Sequence, residues 1–415
     1  MKKIKIGLAG LGTVGRGVYE ILNKDAQLIS MRCGASLEIT AVSARGKKDF
    51  VDSKVKFYEN ALDLAADSEV DVVVEAIGGA NGIAKELVEQ AIKNNKKVVT
   101  ANKALLAENG FSINQLVEEN NGFIGFEAAV AGATPAIKTI KENLAANQID
   151  EIHAILNGTS NFILTKMRNE ALGFAEAIKQ AQEFGYAEAD PSSDILGVDS
   201  AHKLAILSAI SLQTKPQFSE TYVEGIDQIT IDDIKFADDF GYKIKLLAIF
   251  KTNQQTVYPA LIKKSEQIAQ IDGALNGVLF NASNAGPTLI IGAGAGAIPT
   301  ASAIVADLID IARGNQTYLF GVKSENLAER SIAKISERVG QYFIRLNIVK
   351  EAAGEKFFAD NIALAQAGFV DKGDEILCGF LTEKLKEIEV IQALENLNQN
   401  QVKFAKFIRV ETTNF

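Results

Sequence analysis

The segment Gly185–Lys203, with the sequence GYAEADPSSDILGVDSAHK, contains four carboxylates and ends in a lysine. Carboxylates that converge on a pocket would bind an ammonium group. A lysine among them could donate a proton to an oxygen that gains charge during a reduction, because its pKa shifts readily on burial. The alternative is a solvated acidic loop followed by an ordinary surface ion pair. The four carboxylates are Glu188, Asp190, Asp194 and Asp199.

Asp199 and Lys203 stand four residues apart in a helical pattern, so they share one face of a helix. Gly197 and the DPSSD sequence before it predict a loop that presents the other three carboxylates. The helix predicted over Ser200–Ser211 is largely apolar. This neighbourhood favours a buried pair over a solvated one.

A second pattern, GLGTVG, follows a predicted strand at Ile4–Ala9 and opens a predicted helix at Val14–Asn23. Its glycines allow a tight turn, a close approach of the backbone to a pyrophosphate and close packing of helix on strand. The helix N-terminus offers free N–H groups to phosphates. The alternative is a glycine turn without a ligand, which the strand–helix context disfavours. The predicted cofactor-binding residues here are Gly10, Gly12, Thr13, Val14 and Gly15.

The second predicted strand ends in VSARGKK, where an NAD site usually has a carboxylate. Arg45 occupies that position, with Lys47 and Lys48 behind it. An arginine there can pair with a 2′-phosphate, so NADP(H) is favoured and NAD(H) remains possible. A solvated loop with several basic residues is the other interpretation.

The elements that must position these residues begin with an alternation of strands and helices. Short connections between such elements favour a parallel sheet covered on both faces. We therefore predict an α/β protein whose first domain is a Rossmann-type doubly wound parallel sheet. Its strands are predicted at Ile4–Ala9, Leu37–Ser43, Val70–Ala76, Lys97–Thr100 and Gly122–Glu127.

The rest of the chain predicts an α+β domain and a ferredoxin-like tail. The middle part has helices predicted at Ala136–Asn147, Ala175–Phe184 and Ser200–Ser211, and strands at Ile149–Leu156, Ile244–Phe250 and Val257–Leu261. The tail has the order strand, helix, two strands, helix, strand. These tail elements are Tyr342–Val349, Lys356–Ala367, Gly368–Asp371, Glu375–Thr382, Lys386–Asn396 and Lys403–Val410. The predicted domains are 1–130 with a returning helix at 299–325, 131–298, and 340–415.

Composition narrows the class of protein. The chain has 415 residues, 47% of them hydrophobic, and a formal net charge of −9, with basic residues spread along its length. A nucleic-acid groove, which needs a clustered basic surface, is therefore not expected. No run of 18 apolar residues predicts a membrane span. The two cysteines, Cys33 and Cys378, form no disulfide or metal pattern, so a cytoplasmic protein is expected.

Five segments resemble homoserine dehydrogenase, in that family's order, and they cover roughly the first 330 residues. The match from Ala181 to Lys203 is highly specific. The others are VVTANKALLA (Val98–Ala107), FEAAVAGATPAI (Phe126–Ile137), NGTSNFIL (Asn157–Leu164) and GAGAGAIPTASAIVADLIDIAR (Gly292–Arg313).

The resemblance implies reduction of L-aspartate 4-semialdehyde to L-homoserine with NAD(P)H, on the route to threonine and methionine. It implies that Lys203 donates the proton and that Lys103 is a second essential lysine beside the nicotinamide. Glu188 would bind the substrate amine, with Asp194 and Asp199 in the same polar cluster. Gly296 would approach the cofactor. The middle domain would be the catalytic and dimerisation domain of a homodimer or higher homo-oligomer.

The family also holds a structural monovalent cation, such as Na⁺. Its ligands here would be Glu127 and the backbone carbonyls of Val130, Gly132 and Thr134. From the residues alone, Glu127 is more simply a carboxylate that caps the following helix. Lys103 could likewise be a surface lysine, but it follows the end of a predicted strand, where ligands bind in open α/β sheets.

The tail resembles a regulatory ACT domain, which some members of the family carry. ACT domains usually place an Asp-x-Pro-Gly-type turn after their first strand, where an amino-acid effector binds. The turn here, KEAAGEKF (Lys350–Phe357), keeps Gly354 but lacks the proline. We therefore expect a divergent ACT-like domain that does not bind threonine in the usual way.

Two other functions are less consistent with the sequence. A phosphorylating semialdehyde dehydrogenase needs an activated cysteine nucleophile, and neither cysteine is well placed for that role. A sensor that binds NADP(H) without catalysis would have no use for a proton donor such as Lys203.

Overall fold

The computed structural model describes residues 2–251, 253–353, 357–358 and 362–413. Within these residues the strands are β1 (Lys2–Ala9), β2 (Ala35–Ser43), β3 (Lys56–Tyr58), β4 (Val72–Glu75), β5 (Lys97–Thr100), β6 (Ile124–Gly125), β7 (Ile149–Ile155), β8 (Tyr222–Val223), β9 (Tyr242–Lys251), β10 (Gln254–Lys263), β11 (Leu275–Ala282), β12 (Gly286–Ala293), β13 (Val339–Val349), β14 (Leu364–Asp371), β15 (Glu375–Thr382), β16 (Leu385–Lys386) and β17 (Val402–Glu411). The α-helices are α1 (Thr13–Lys24), α2 (Ala26–Cys33), α3 (Leu62–Ala66), α4 (Ile83–Lys93), α5 (Lys103–Glu119), α6 (Ala136–Lys138), α7 (Gly158–Glu170), α8 (Phe174–Glu183), α9 (Ser192–Ile195), α10 (Val198–Leu212), α11 (Ile231–Asp239), α12 (Ala297–Arg313) and α13 (Glu387–Glu395).

The described chain divides into two compact units. The first unit contains residues 1–152, 199–221 and 276–330, and the second contains 153–198, 222–275 and 331–415. The three predicted domains remain a prediction. No helix in the described ranges is long and apolar enough to span a membrane.

The first unit is built on a six-stranded parallel sheet in the order β3-β2-β1-β4-β5-β6. This confirms the predicted Rossmann-type sheet. The strand order reverses at β1 and β4, and ligands in open α/β sheets bind outside the carboxyl ends of the strands at such a point. A ligand of this unit is therefore expected at the turns after β1, β4 and β5.

Helix α12 packs against α1 of the parallel sheet. A Cβ at Gly17 would lie 2.6 Å from the carbonyl oxygen of Ala297, so the two helices touch through their backbones. Ile304 and Leu308 join the hydrophobic core formed by β1 and α1. The helix ends at Arg313, before Gly314 in the left-handed conformation, and it does not extend to 325 as predicted.

A second helix prediction is also too long. Only Ala136–Lys138 are α-helical in the segment predicted as Ala136–Asn147, and Thr139–Asn143 form a π-helical turn. The Leu144 N–H donates to the carbonyl of Thr139, five residues back, which ends the α-helical pattern. A hydrophobic pattern does not reveal such an extra residue in a turn.

The second unit contains a mixed sheet in which β9, β10, β17, β13, β15 and β14 are neighbours in that order. Strands β10 and β17 are parallel, and the other neighbouring pairs are antiparallel. The predicted tail strands and the helix α13 are confirmed. The tail helix predicted at Lys356–Ala367 is wrong at its end, because Leu364 begins β14. Gly354, Lys356 and 359–361 lie outside the described residues, and the ACT-like character of the tail stays a prediction.

Candidate active site

Asp199 stands between two lysines in the first unit. One carboxylate oxygen lies 2.8 Å from the Nζ of Lys103, and the other lies 2.7 Å from the Nζ of Lys203. The side chains of Asp199 and Lys203 are only 6% and 9% exposed, whereas that of Lys103 is 40% exposed. The sequence predicted the pair on one helix, and the structure adds the third member.

Two helices position the triad formed by Lys103, Asp199 and Lys203. Asp199 and Lys203 lie one turn apart on α10, most of whose residues are buried. Lys103 is the first residue of α5, directly after β5, and the amide oxygen of Asn102 caps that helix by accepting from the Leu105 N–H. Lys103 therefore lies at the carboxyl end of the parallel sheet, as its position after a predicted strand indicated.

The electrostatics of the triad assign its roles. Burial raises the pKa of Asp199, but the charges of Lys203 and Lys103 and their hydrogen bonds outweigh burial and hold it well below its ordinary value. Asp199 is consequently an ionised acceptor at neutral pH and cannot serve as a proton donor. The groups in this cluster that carry protons to donate are the two lysines.

The glycine turn has the geometry that a dinucleotide requires. Gly10 has φ of 90°, and a Cβ there would lie 2.5 Å from the carbonyl oxygen of Ala76. A Cβ at Gly15 would lie 1.8 Å from the carbonyl oxygen of Gly10. By contrast, no atom of the described residues lies within 4 Å of a Cβ placed on Gly12, which leaves space for a ligand at the N-terminus of α1. Thr13 and Val14 form the first turn of that helix.

A cavity of about 580 Å³ adjoins this turn. Arg16 and Lys48 supply positive charge and Asp49 a negative charge, and Gly12, Thr13 and Phe50 also line it. Arg45 is exposed on the same connection but does not line the cavity. Sequence reasoning missed Arg16, whose signal is a basic side chain in the first turn after the glycine pattern.

Gly296 immediately precedes α12, with φ of 117°, a conformation that L side chains rarely adopt. It therefore presents bare backbone at a helix N-terminus in the first unit. The fit of a dinucleotide thus rests on two such glycine-capped helix starts and on the basic cavity beside the first.

Glu188 and Asp194 belong to the second unit. The Glu188 side chain is exposed, and its backbone carbonyl accepts from the Gln182 amide at 3.1 Å. Asp194 accepts from the Asn157 amide at 2.6 Å, and its carbonyl accepts from the Ser160 hydroxyl at 2.8 Å. Their participation in one polar cluster with Asp199 stays a prediction.

Glu127 is buried directly after β6. Its carboxylate accepts from the backbone N–H groups of Ile137 and Lys138, at 3.1 and 2.7 Å. Burial, together with nearby Asp307, raises the pKa of Glu127 to about 8. The carboxylate therefore caps the start of α6, the simpler of the two interpretations.

The loop that follows Glu127 partly fits a monovalent cation. The Thr134 hydroxyl is buried without a hydrogen-bond partner in the described chain, as a hard-cation ligand would be before the ion binds. Gly132 has φ of 54° and packs against the backbone of Ala293 and Gly294. In the described ranges no three His, Cys, Asp or Glu side chains gather to hold a metal, so any cation would depend on backbone oxygens.

Comparisons with known proteins identify relatives over the whole length. A family model described as homoserine dehydrogenase matches residues 135–309, and one described as homoserine dehydrogenase, NAD binding domain, matches 10–127. A homoserine dehydrogenase from Neisseria gonorrhoeae is 44% identical over 363 residues, covering 85% of this chain and 83% of the relative.

Solved structures of homoserine dehydrogenases are also similar to this chain. The crystal structure of a homoserine dehydrogenase from Thiobacillus denitrificans is 39% identical, covers 99% of both chains and superposes with a TM-score of 0.91. A hyperthermophilic archaeal homoserine dehydrogenase in complex with NADPH is 27% identical, with a TM-score of 0.64 over 74% of this chain and 97% of that one.

Proposed function

This chain belongs to the homoserine dehydrogenase family of NAD(P)-dependent oxidoreductases, and from that premise we propose that it reduces L-aspartate 4-semialdehyde to L-homoserine with NADPH. The reaction would serve threonine and methionine biosynthesis in the cytoplasm, in a homodimer or higher homo-oligomer. The observation that carries the proposal is the pairing of one buried carboxylate, Asp199, with both Lys103 and Lys203.

Lys203 is the proposed proton donor. Reduction of an aldehyde leaves negative charge on its oxygen, and a positioned ammonium group can neutralise that charge by transferring a proton. The 9% exposure of the Lys203 side chain keeps competing water away from the Nζ. Asp199 holds the amine in place and balances its charge.

Lys103 is the proposed second lysine of the site. Its side chain is more exposed than that of Lys203, so its amine is the one more accessible to a ligand in this unit. It shares the Asp199 counter-ion and can orient the carbonyl oxygen. We assign Glu188 to the substrate ammonium group, with Asp194 and Asp199 in the same substrate-binding polar cluster.

The cofactor would be held by the glycine turn at Gly10, Gly12 and Gly15, by the α1 start at Thr13 and Val14, and by the backbone at Gly296. When bound, the reduced nicotinamide supplies a hydride to the carbonyl carbon. Arg45, with Arg16 and Lys48 at the neighbouring cavity, would neutralise a 2′-phosphate. These basic residues support NADPH over NADH.

A structural cation is a further part of the proposal. Glu127 and the backbone carbonyls of Val130, Gly132 and Thr134 would hold a monovalent ion such as Na⁺. The unpaired buried hydroxyl of Thr134 is a further polar atom of the same loop and supports a polar ligand there. The cation would be structural, and the lysines would protonate the substrate oxygen.

The rival cysteine chemistry finds no support in the structure. Cys33 and Cys378 are both buried, and burial raises the pKa of the Cys378 thiol to about 11. A thiol with so high a pKa is a poor nucleophile at neutral pH, because the thiolate is the reactive form.

The deciding experiment follows NADPH oxidation with L-aspartate 4-semialdehyde, with and without inorganic phosphate. The proposal predicts turnover that does not need phosphate, and NADP⁺ reduction when L-homoserine is supplied instead. Absence of turnover in both directions, or a requirement for phosphate, would contradict it.

A further inference from the structure

Glu75, the last residue of β4, is a fully buried carboxylate outside the triad. Its Oε1 accepts from the backbone N–H groups of Ile77 and Gly78, each at 2.8 Å. Its Oε2 accepts from the hydroxyl of Thr100, the last residue of β5. One side chain thus joins the turn after β4 to the end of the next strand.

The hydrogen bonds continue from Thr100 to the start of α5. The Thr100 hydroxyl oxygen accepts from the Asn102 N–H at 3.0 Å. The side chain of Asn102 caps α5 and also donates to the carbonyl of Gly79 at 2.7 Å. The turn after β4 and the first turn of α5 are therefore held by one hydrogen-bond network centred on three buried side chains, those of Glu75, Thr100 and Asn102.

We infer that Glu75 is a positioning residue for the reaction, because this network sets the direction in which α5 begins and hence where Lys103 meets Asp199. The inference rests on the proposed function. Lys103 directly follows Asn102, so a shift of the cap moves the backbone of Lys103 with it. The Nζ of Lys103 would then have to reach the Asp199 carboxylate from a displaced backbone position.

The chemistry of the network explains why a carboxylate occupies this position. Three donors converge on Glu75, and an ionised carboxylate offers only acceptors. A glutamine would turn one acceptor into an NH₂ group that faces the Thr100 hydroxyl and forces that hydroxyl to reverse its hydrogen bond. In a buried network, such a mismatch is costly because water cannot replace the lost partner.

The same carboxylate also restrains the turn beside the phosphate-binding glycines. Gly78 and Gly79 both have φ near 90°, at 90° and 92°. The carbonyl of Ala76, within this turn, is the group that a Cβ on Gly10 would strike. Glu75 therefore links the predicted cofactor turn with the lysine helix, although it lines neither.

The test is a double-mutant cycle between Thr100→Val and Lys103→Ala. Thr100→Val removes the hydroxyl that links Glu75 to the Asn102 N–H, with little change in volume, and Thr100→Ser keeps that hydroxyl. If the network acts through Lys103, Thr100→Val lowers kcat at least about tenfold alone but less than about twofold in the Lys103→Ala background. Thr100→Ser should restore most of the lost kcat. Glu75→Gln should show the same dependence on Lys103.

Thr382→Val is the matched control. Thr382 is also fully buried, and its hydroxyl accepts a backbone N–H, that of Tyr342, at 3.0 Å. Its loss should lower the melting temperature about as much as Thr100→Val does while kcat is kept. A change that merely loosened the fold would affect the two variants alike.

The outcomes separate this inference from the proposed function. If Lys103→Ala lowers kcat to a small but measurable value and Thr100→Val costs the same factor with or without Lys103, the positioning role is overturned and the function stands. If Lys103→Ala keeps wild-type kcat, the role of Lys103 is wrong, and the positioning inference falls with it.

Discussion

The Nζ of Lys103 lies 2.8 Å from a carboxylate oxygen of Asp199, although the two residues stand on different helices far apart in the sequence. The second oxygen of that carboxylate is engaged by Lys203. A single negative charge is therefore shared by two positive ones. The net charge of the triad is positive, which suits a site that must stabilise an oxygen gaining negative charge.

Replacing Lys203 by methionine should abolish most turnover without loss of cofactor binding. The change removes the proposed proton donor but leaves Asp199 paired with Lys103. We expect kcat to fall by about 10² to 10⁴, while NADPH binding, followed by fluorescence titration, stays close to wild type. Wild-type kcat in this variant would refute the assignment of the acid.

Lys245→Met is the matched control for that variant. Lys245 is also a buried lysine, 1% exposed, and pairs with Asp272 at 2.8 Å. Both substitutions should lower the melting temperature, since each leaves a carboxylate with fewer partners. Only the change at Lys203 should remove turnover.

Asp199→Asn should make part of the stability independent of pH. The pKa of Asp199 is lower in the folded than in the unfolded protein, where it is about 4. Its ionised form therefore stabilises the fold above about pH 4, and this contribution is lost as the pH falls further. The difference in melting temperature between wild type and variant should shrink between about pH 5 and pH 3. An equal difference at both pH values would contradict the prediction.

Alanine substitutions at two glycines of the dinucleotide turn should affect different properties, cofactor affinity in one case and stability in the other. Gly12→Ala adds a methyl group where the protein leaves open space, so NADPH affinity should fall while the melting temperature hardly changes. Gly15→Ala places a Cβ 1.8 Å from the Gly10 oxygen, so stability should fall by about 1–3 kcal/mol or more. Calorimetric titration and thermal unfolding measure the two effects. Equal losses of stability would show that the space at Gly12 is not kept for a ligand.

Arg45→Ala and Lys48→Ala should each reduce the preference for NADPH. A charged hydrogen bond to the 2′-phosphate is worth enough that kcat/KM with NADPH should fall at least about tenfold. The value with NADH should change little. Lys93→Ala, an exposed lysine on α4, is the control. If only Lys48→Ala alters the ratio, the lysine that lines the cavity, rather than Arg45, recognises the phosphate.

In buffer without Na⁺, Glu127 should make the protein less stable as the pH rises. Its pKa is about 8 in the folded protein, against about 4.3 when unfolded. Between these values the folded form keeps a proton that the unfolded form has lost, so the free energy of unfolding falls with rising pH. Glu127→Gln should flatten that slope in thermal unfolding between pH 5 and pH 8.

The effect of Na⁺ on the melting temperature separately tests Glu127 as a cation ligand. At pH 8, Na⁺ should raise the melting temperature of the wild type relative to tetramethylammonium at equal ionic strength. The rise should be smaller in Glu127→Gln. An identical response of both proteins would count against Glu127 as a cation ligand.

Local patterns in the sequence predicted much of the fold. Apolar runs gave the strands of the parallel sheet, and the glycine spacing gave the turn between β1 and α1. The pairing of Asp199 with Lys203 was predictable because residues four apart on a helix are neighbours. The tail helix at Lys356–Ala367 failed at Leu364, because a short apolar run fits a helix or a strand equally well.

The remaining features depend on contacts between distant residues. The ion pair of Lys103 with Asp199 forms only when α5 and α10 have been placed, and the Glu75 network only when β4 and β5 lie side by side. The cap made by Glu127 depends in the same way on the path of the chain back to Ile137. The sequence by itself determined which side chains could do the chemistry, because residue type and local period are written in it. Tertiary structure alone decided which of them share a proton or a charge, because those interactions act over a few ångströms of space regardless of separation along the chain.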